Sequence, residues 1–190
     1  MPAKDVNELI AWLKANPNKA SAGVPAVGQR LVTAFFQKET GTLFTLVPYR
    51  GSAPAIQDLA AGQIDLLFNP PDALPLVRAG NIKAYAVTNE TRWLQAPDIP
   101  TFVEGGLPAL SWSTWYGLFA PKGTPKEIID LLDGAAAQAL ADPAVRSRLA
   151  DLGLEVFPCE RQTPEALGAL VKADAEKWWP LIKKLGIKAE

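Results

Sequence analysis

Between Val6 and Thr88 the chain alternates between a helical and a strand-like apolar rhythm. No other feature constrains the fold as much. Leu9, Ile10 and Leu13 share one face of a helix expected over Val6–Ala15, which Asn16-Pro17 stops. A short strand is expected at Lys19–Gly23, then a helix at Val27–Lys38 striped by Leu31, Val32, Phe35 and Phe36, and a strand at Leu43–Pro48. A helix at Pro54–Ala61, a buried strand at Ile64–Phe68, a helix at Asp72–Ala79 and a strand at Ile82–Thr88 follow. Gly41, Gly62 and Gly80 stand where three of these helices end, as a left-handed cap requires. Helices interleaved with strands are the signature of βαβ units. The pattern therefore predicts an α/β fold on a mainly parallel sheet.

From Asn89 the rhythm changes. Ala96–Leu110 is a proline-rich connector in which Thr101 and Glu104 form a capping box for a very short helix. Ser111–Pro121 reads as a long strand. Thr124-Pro125-Lys126-Glu127 reads as a helix start, with Thr124 at the N-cap, and the helix runs over Pro125–Ala141. A shorter helix from Asp142-Pro143 ends at Gly153, Glu155–Pro158 reads as a strand, and Thr163-Pro164 opens a last helix to Leu185. Three helices with so few strands cannot cover their own apolar faces. Pro121–Glu190 therefore reads as a piece of a domain whose other strands come from elsewhere.

Composition narrows the function. The 190 residues include no histidine, which removes the commonest general base and the commonest zinc ligand. The one cysteine, Cys159, excludes an internal disulfide and any cysteine-cluster metal site. The expectation is a binding protein with no catalytic residues, no metal and no cofactor. Asp58, Asp65 and Asp72 are the remote alternative, as hydrolase carboxylates without an evident base–nucleophile pair. A formal net charge of -1 gives no nucleic-acid footprint. No apolar run approaches the roughly 18 residues of a membrane span. The opening MPAKDVNELIAWLKANPNK has neither the basic start nor the apolar core of a signal peptide.

Three strand-to-helix turns are candidate ligand loops, because α/β folds place ligands at the carboxyl ends of parallel strands. In Ser21–Leu31, Gly23 and Gly28 flank a turn, and the amides of Val27, Gly28 and Gln29 open a helix whose dipole favours an anion. In Pro48–Pro54, Gly51 and Ser52 add donors, beside Arg50. In Asn69–Asp72, Asn69 can donate and accept, Pro70 and Pro71 fix the turn, and Asp72 caps the next helix or faces the ligand. The alternative for each turn is an ordinary helix start bonded to water. Trp112, Trp115 and Tyr116 read as packing residues of the Ser111–Pro121 strand, and Trp178 and Trp179 as core or interface anchors.

Five stretches carry a resemblance: VPYRGSAPAIQDLAAGQIDLLF (Val47–Phe68), ALPLVRAGNIKAYAVT (Ala73–Thr88), APDIPTFVEGGLP (Ala96–Pro108), WYGLFAPKGTP (Trp115–Pro125) and LADPAVRSRLADLG (Leu140–Gly153). In order and spacing they resemble the solute-binding proteins of tripartite tricarboxylate transporters, the Bordetella uptake gene family. The resemblance implies a periplasmic-binding-protein-like (type II) clamshell that grips small organic carboxylates and works with membrane transporter subunits. It implies that residues 3–116 form the second lobe and 117–190 the C-terminal part of an incomplete first lobe, as in an N-terminally truncated member. It also implies a periplasmic location. The other expectation is a truncated, non-binding paralogue that serves as an assembly module. The strands of Pro121–Glu190 are too few to cover its helices, so these either fold back onto the lobe or pack on a second copy. A homodimer through Ile128–Leu140 and Leu167–Leu185 is the expectation, because symmetric self-association is the commonest way to cover one patch.

Overall fold

A computed structural model describes residues 2–68 and 71–186. The chain divides into two compact units, one of residues up to Ser113 together with the chain from Ile182, the other Thr114–Leu181.

In the first unit, α1 (Val6–Ala15) starts at Asp5, whose carboxylate accepts from the amides of Asn7 and Glu8. It buries Val6, Leu9, Ile10 and Leu13, the face that the helical spacing assigns. Next come β1 (Ser21–Val24), α2 (Val27–Thr40), β2 (Thr45–Pro48), α3 (Ser52–Ala60) and β3 (Leu66–Leu67). The strands form one parallel sheet in the order β2-β1-β3. Parallel strands need crossover connections: α2 joins the neighbours β1 and β2, and the connection through α3 carries the chain from β2 past β1 to β3. Phe36 of α2 is fully buried, with ring centroids of Phe44, Phe68 and Phe102 at 6.2, 5.1 and 6.1 Å. α2 ends at Gly41 with φ 64°, the left-handed cap expected there.

Beyond β3 a 3-10 turn (Pro71–Ala73) leads into α4 (Leu74–Arg78). The strand expected at Ile82–Thr88 does not form. Only one parallel bridge, Val87 to Thr101, remains. Thr101 does act as the capping residue foreseen, accepting the Glu104 amide at 3.1 Å, but a turn follows it instead of a helix. Glu104 binds Arg92 instead, at 2.6 Å.

In the second unit, α5 (Lys126–Ala141), α6 (Pro143–Asp151) and α7 (Pro164–Leu185) match the three predicted helices. Pro125, not Thr124, is the N-cap of α5, because the Thr124 hydroxyl turns back to the Pro121 carbonyl at 2.8 Å. Two more expected strands do not form: Ser111–Pro121, which runs from the first unit into the second, and Glu155–Pro158. The helices satisfy their backbone bonds within themselves, whereas a strand needs a neighbour.

Candidate functional site

Parallel strands carry all their following turns at one end. The β1–α2 and β2–α3 turns therefore leave the same edge of the sheet, and the pairing of β1 with β2 puts them side by side.

The β1–α2 turn is Pro25-Ala26. Ala26, at the N-cap of α2, has no side chain that can accept a hydrogen bond, and none is made. The first amide with a backbone partner is that of Arg30, bonded to the Ala26 carbonyl. The amides of Val27, Gly28 and Gln29 are left as the open donors of the helix start. Val27 and Gly28 are exposed, and nothing lies within 4 Å of where a Gly28 side chain would begin.

The β2–α3 turn repeats the arrangement. Gly51, at φ 106°, is the N-cap of α3, again without a side-chain cap, and Ser52 opens the helix half-buried. The positive φ favours glycine at this position. Tyr49 holds the turn in place. Its amide donates to the Val24 carbonyl at 3.0 Å and its hydroxyl to Asp58 Oδ2 at 2.7 Å. That hydrogen bond, with the Asp58 charge and some desolvation, raises the Tyr49 pKa above its ordinary value. Sequence reasoning missed this pair, and nothing in the local pattern signals it. Arg50 is exposed beside the turn.

Two expectations change here. Gly23 is not a turn residue: it lies buried in β1 between Val47 and Leu67. A methyl group there would come within 2.7 Å of Ile64 Cδ1 and 3.2 Å of Leu67 Cδ1, so close packing is its role. Asp72 does not cap α4, whose N-cap is Ala73 without a side-chain bond. Asp72 sits exposed within the preceding 3-10 turn. Asn69 and Pro70 lie outside the described residues. The carboxylates named as hydrolase candidates have structural partners: Asp58 holds Tyr49, and Asp65 accepts from the Ser21 amide and hydroxyl at 2.8 and 3.1 Å. Ser21 begins β1, so that bond lies at the opposite edge from the turns.

A shallow depression of about 480 Å³ lies between Gly80–Ala84 and Asp98–Pro100, lined by none of the turn residues. Lys83 beside it is already bound to the Ala3 and Lys4 carbonyls. Among the described residues no cluster of side chains could hold a metal ion. At the turns the chemistry on offer is amide donors at two uncapped helix starts.

The model of the tripartite tricarboxylate transporter family receptor matches residues 1–187. The chain belongs to this family. Its curated relatives include a protein from the ttuE-ttuC' intergenic region of Agrobacterium vitis, 37% identical over 96% of this chain and 54% of that protein. They also include BugT of Bordetella pertussis, 32% identical over 96% of this chain and 56% of that protein. The chain thus spans about half the length of the curated relatives it matches.

Among solved structures, a periplasmic transporter superposes with a TM-score of 0.83 at 38% identity, covering 99% of this chain and 63% of that one. Rpa4515 of R. palustris, solved with adipate, gives 0.80 at 34% identity over 98% and 62%. MatC of Rhodopseudomonas palustris, solved with malate, gives 0.80 at 32% identity over 95% and 63%. The periplasmic binding protein BugD also superposes at 0.80 with 33% identity, and the mixed α/β fold on a parallel sheet is that of these structures. The family is one of receptors, not enzymes.

Proposed function

We propose that this chain supplies the ligand-gripping part of a periplasmic receptor for a small organic carboxylate, which passes its ligand to membrane subunits of a tripartite tricarboxylate-type transporter. The observation that carries the reading is the pair of uncapped helix starts at one sheet edge, α2 with the amides of Val27, Gly28 and Gln29, and α3 with Ser52. A carboxylate is the complement of such donors, with the positive ends of two helix dipoles behind it. The adipate and malate of the solved relatives are ligands of that class. Residues 3–116 as one lobe and 117–190 as the C-terminal part of the other belong to the same proposal, as do Asn69 and Pro70 as lining of the cleft.

Magnitudes set the expected affinity. Each helix start contributes about 0.3–1 kcal/mol when exposed and up to ~2 when partly buried. A micromolar Kd needs about 8 kcal/mol. Two helix starts fall short, so the chain alone should bind with a Kd of about 1 mM or weaker. Amide shifts followed by NMR during titration with malate and adipate test this. Shifts should concentrate at Val27–Gln29 and Ser52, and Ala26→Asp, which fills the α2 donors with a carboxylate of its own, should remove them. Shifts elsewhere only, or shifts untouched by Ala26→Asp, reject the reading.

A second reading has one observation in its favour: α5 and α6 bury no side chain. In it the chain binds no solute and assembles as a homodimer through its C-terminal helices. A sedimenting dimer without ligand-induced shifts would favour it.

A further inference from the structure

We propose that Tyr49 is a positioning residue that locks the α2 and α3 helix starts into one receptor surface, so that a ligand carboxylate meets both sets of amide donors already in place. The proposal rests on the carboxylate reading and adds to it the group that makes two weak donor sets act together.

Tyr49 directly follows β2 and precedes the Arg50-Gly51 turn into α3. Three parts of it are tied to three different places. Its amide donates to the carbonyl of Val24, the last residue of β1, and so carries the β1–β2 pairing one bond further toward the edge where α2 begins. Its ring lies against β1: a methyl group at Gly23 would stand 3.4 Å from Tyr49 Cε2. Its hydroxyl reaches α3, donating to Asp58 Oδ2 at 2.7 Å. Asp58 lies more than one turn beyond Ser52, so the bond grips the body of α3 and uses none of the amides of its first turn. One side chain thus joins the end of β1, from which α2 is reached, to the helix that carries the second donor set.

Little else steadies the turn. Gly51 sits at φ 106°, no side chain caps α3, and nothing lies within 4 Å of where a Gly51 side chain would begin. A glycine at such a point leaves the chain free to swing. A site whose donors are in place only part of the time loses affinity in proportion to that fraction. A charge-assisted bond from Tyr49 to Asp58 removes this loss. The raised Tyr49 pKa is consistent with it, because the Asp58 hydrogen bond keeps the hydroxyl protonated and therefore a donor.

A comparable bond at the other edge of the sheet supplies the control. The Ser21 hydroxyl, at the start of β1, donates to Asp65 Oδ2 at 3.1 Å, and neither residue lies at a helix start.

The test is titration with malate, followed by amide NMR, of the unchanged chain and of Tyr49→Phe, Asp58→Ala, Asp58→Asn and Ser21→Ala. In the unchanged chain Ser52 and Val27–Gln29 should share one midpoint. Tyr49→Phe and Asp58→Ala should raise the Ser52 midpoint by about threefold or more, the loss expected of a turn in place a third of the time, and part it from that of Val27–Gln29. Asp58→Asn keeps an oxygen that can accept from the hydroxyl and should restore the single midpoint. Ser21→Ala should leave the titration unchanged. Malate shifts that Tyr49→Phe and Asp58→Ala leave unaltered overturn the proposal while the carboxylate reading stands. Asp58→Asn behaving as Asp58→Ala, or binding malate more tightly than the unchanged chain, also overturns it, because the charge and not the bond would then be the agent. A loss in Ser21→Ala equal to that in Tyr49→Phe makes the effect one of stability alone and overturns it as well. Absence of shifts at Val27–Gln29 and Ser52 in the unchanged chain rejects the carboxylate reading itself, and this proposal with it.

Discussion

The two units contain helices of similar amphipathic pattern, and they differ in what those helices meet. In the first unit α1 and α2 lay their apolar faces into a core that includes Leu13, Phe36, Phe44, Ala22 and Leu66. In the second, α5 carries Ile128, Leu131 and Leu132 at helical spacing and buries none of them. Of the second unit's described residues, only Leu181 joins the buried apolar set. An apolar stripe therefore states a helix's need for a partner, and the presence of a sheet decides whether that need is met.

The sharpest way to break this contrast is truncation. Phe36→Ala should cost about 3–5 kcal/mol in urea unfolding, because it empties a fully enclosed site. Leu131→Ala, at a residue 68% exposed, should stay within about 0.5 kcal/mol. Equal costs would mean that Leu131 is buried in solution.

Glycine offers the next test. Gly23→Val forces a side chain into the contact with Ile64 and Leu67 and should cost about 1–3 kcal/mol. Gly134→Ala, in α5 with nothing within 4 Å, should instead be neutral or stabilising by up to about 1 kcal/mol. A cost at Gly134 would reveal close packing on α5.

Capping inverts the comparison. α6 is capped by Asp142, which accepts from Ala144 and Val145, whereas α2 has no cap. Asp142→Ala should lose, and Ala26→Asp gain, about 0.5–2 kcal/mol in thermal melts. A neutral Ala26→Asp would mean that the α2 donors are already satisfied.

The smallest effect is a pH dependence. The hydrogen bond and charge of Arg92 hold the Glu104 carboxyl below its ordinary value of 4.5. A depressed folded-state value adds stability that is present above the unfolded value and is lost as pH falls through the folded one. Melting below about pH 4.5 should therefore soften less in Glu104→Gln than in the unchanged chain. Identical acid profiles would show that the pair contributes nothing in solution, as exposed pairs often do not.

Much of the candidate site was legible because its chemistry is local. Val24-Pro25-Ala26 lacks a capping side chain, and that alone leaves the donors of Val27, Gly28 and Gln29 open. Gly51 before Ser52 was readable in the same way. Gly23 was misread because its constraint comes from Ile64 and Leu67, far along the chain. The Tyr49–Asp58 strut was missed because it joins a strand end to a helix face that only folding brings together.

The same division runs through the fold. The sequence by itself determined the helices, nearly to their ends, because a helix closes its hydrogen bonds within a few residues and a local stripe, cap or glycine suffices to mark it. It also determined the parallel character of the sheet, since strands separated by helices have no other short connection. Only the tertiary structure decided which strand-like segments became strands. Ser21–Val24, Thr45–Pro48 and Leu66–Leu67 found one another, whereas Ile82–Thr88, Ser111–Pro121 and Glu155–Pro158, with comparable apolar character, did not. A strand exists only when a distant segment supplies its hydrogen bonds, and no local pattern states whether that segment is there.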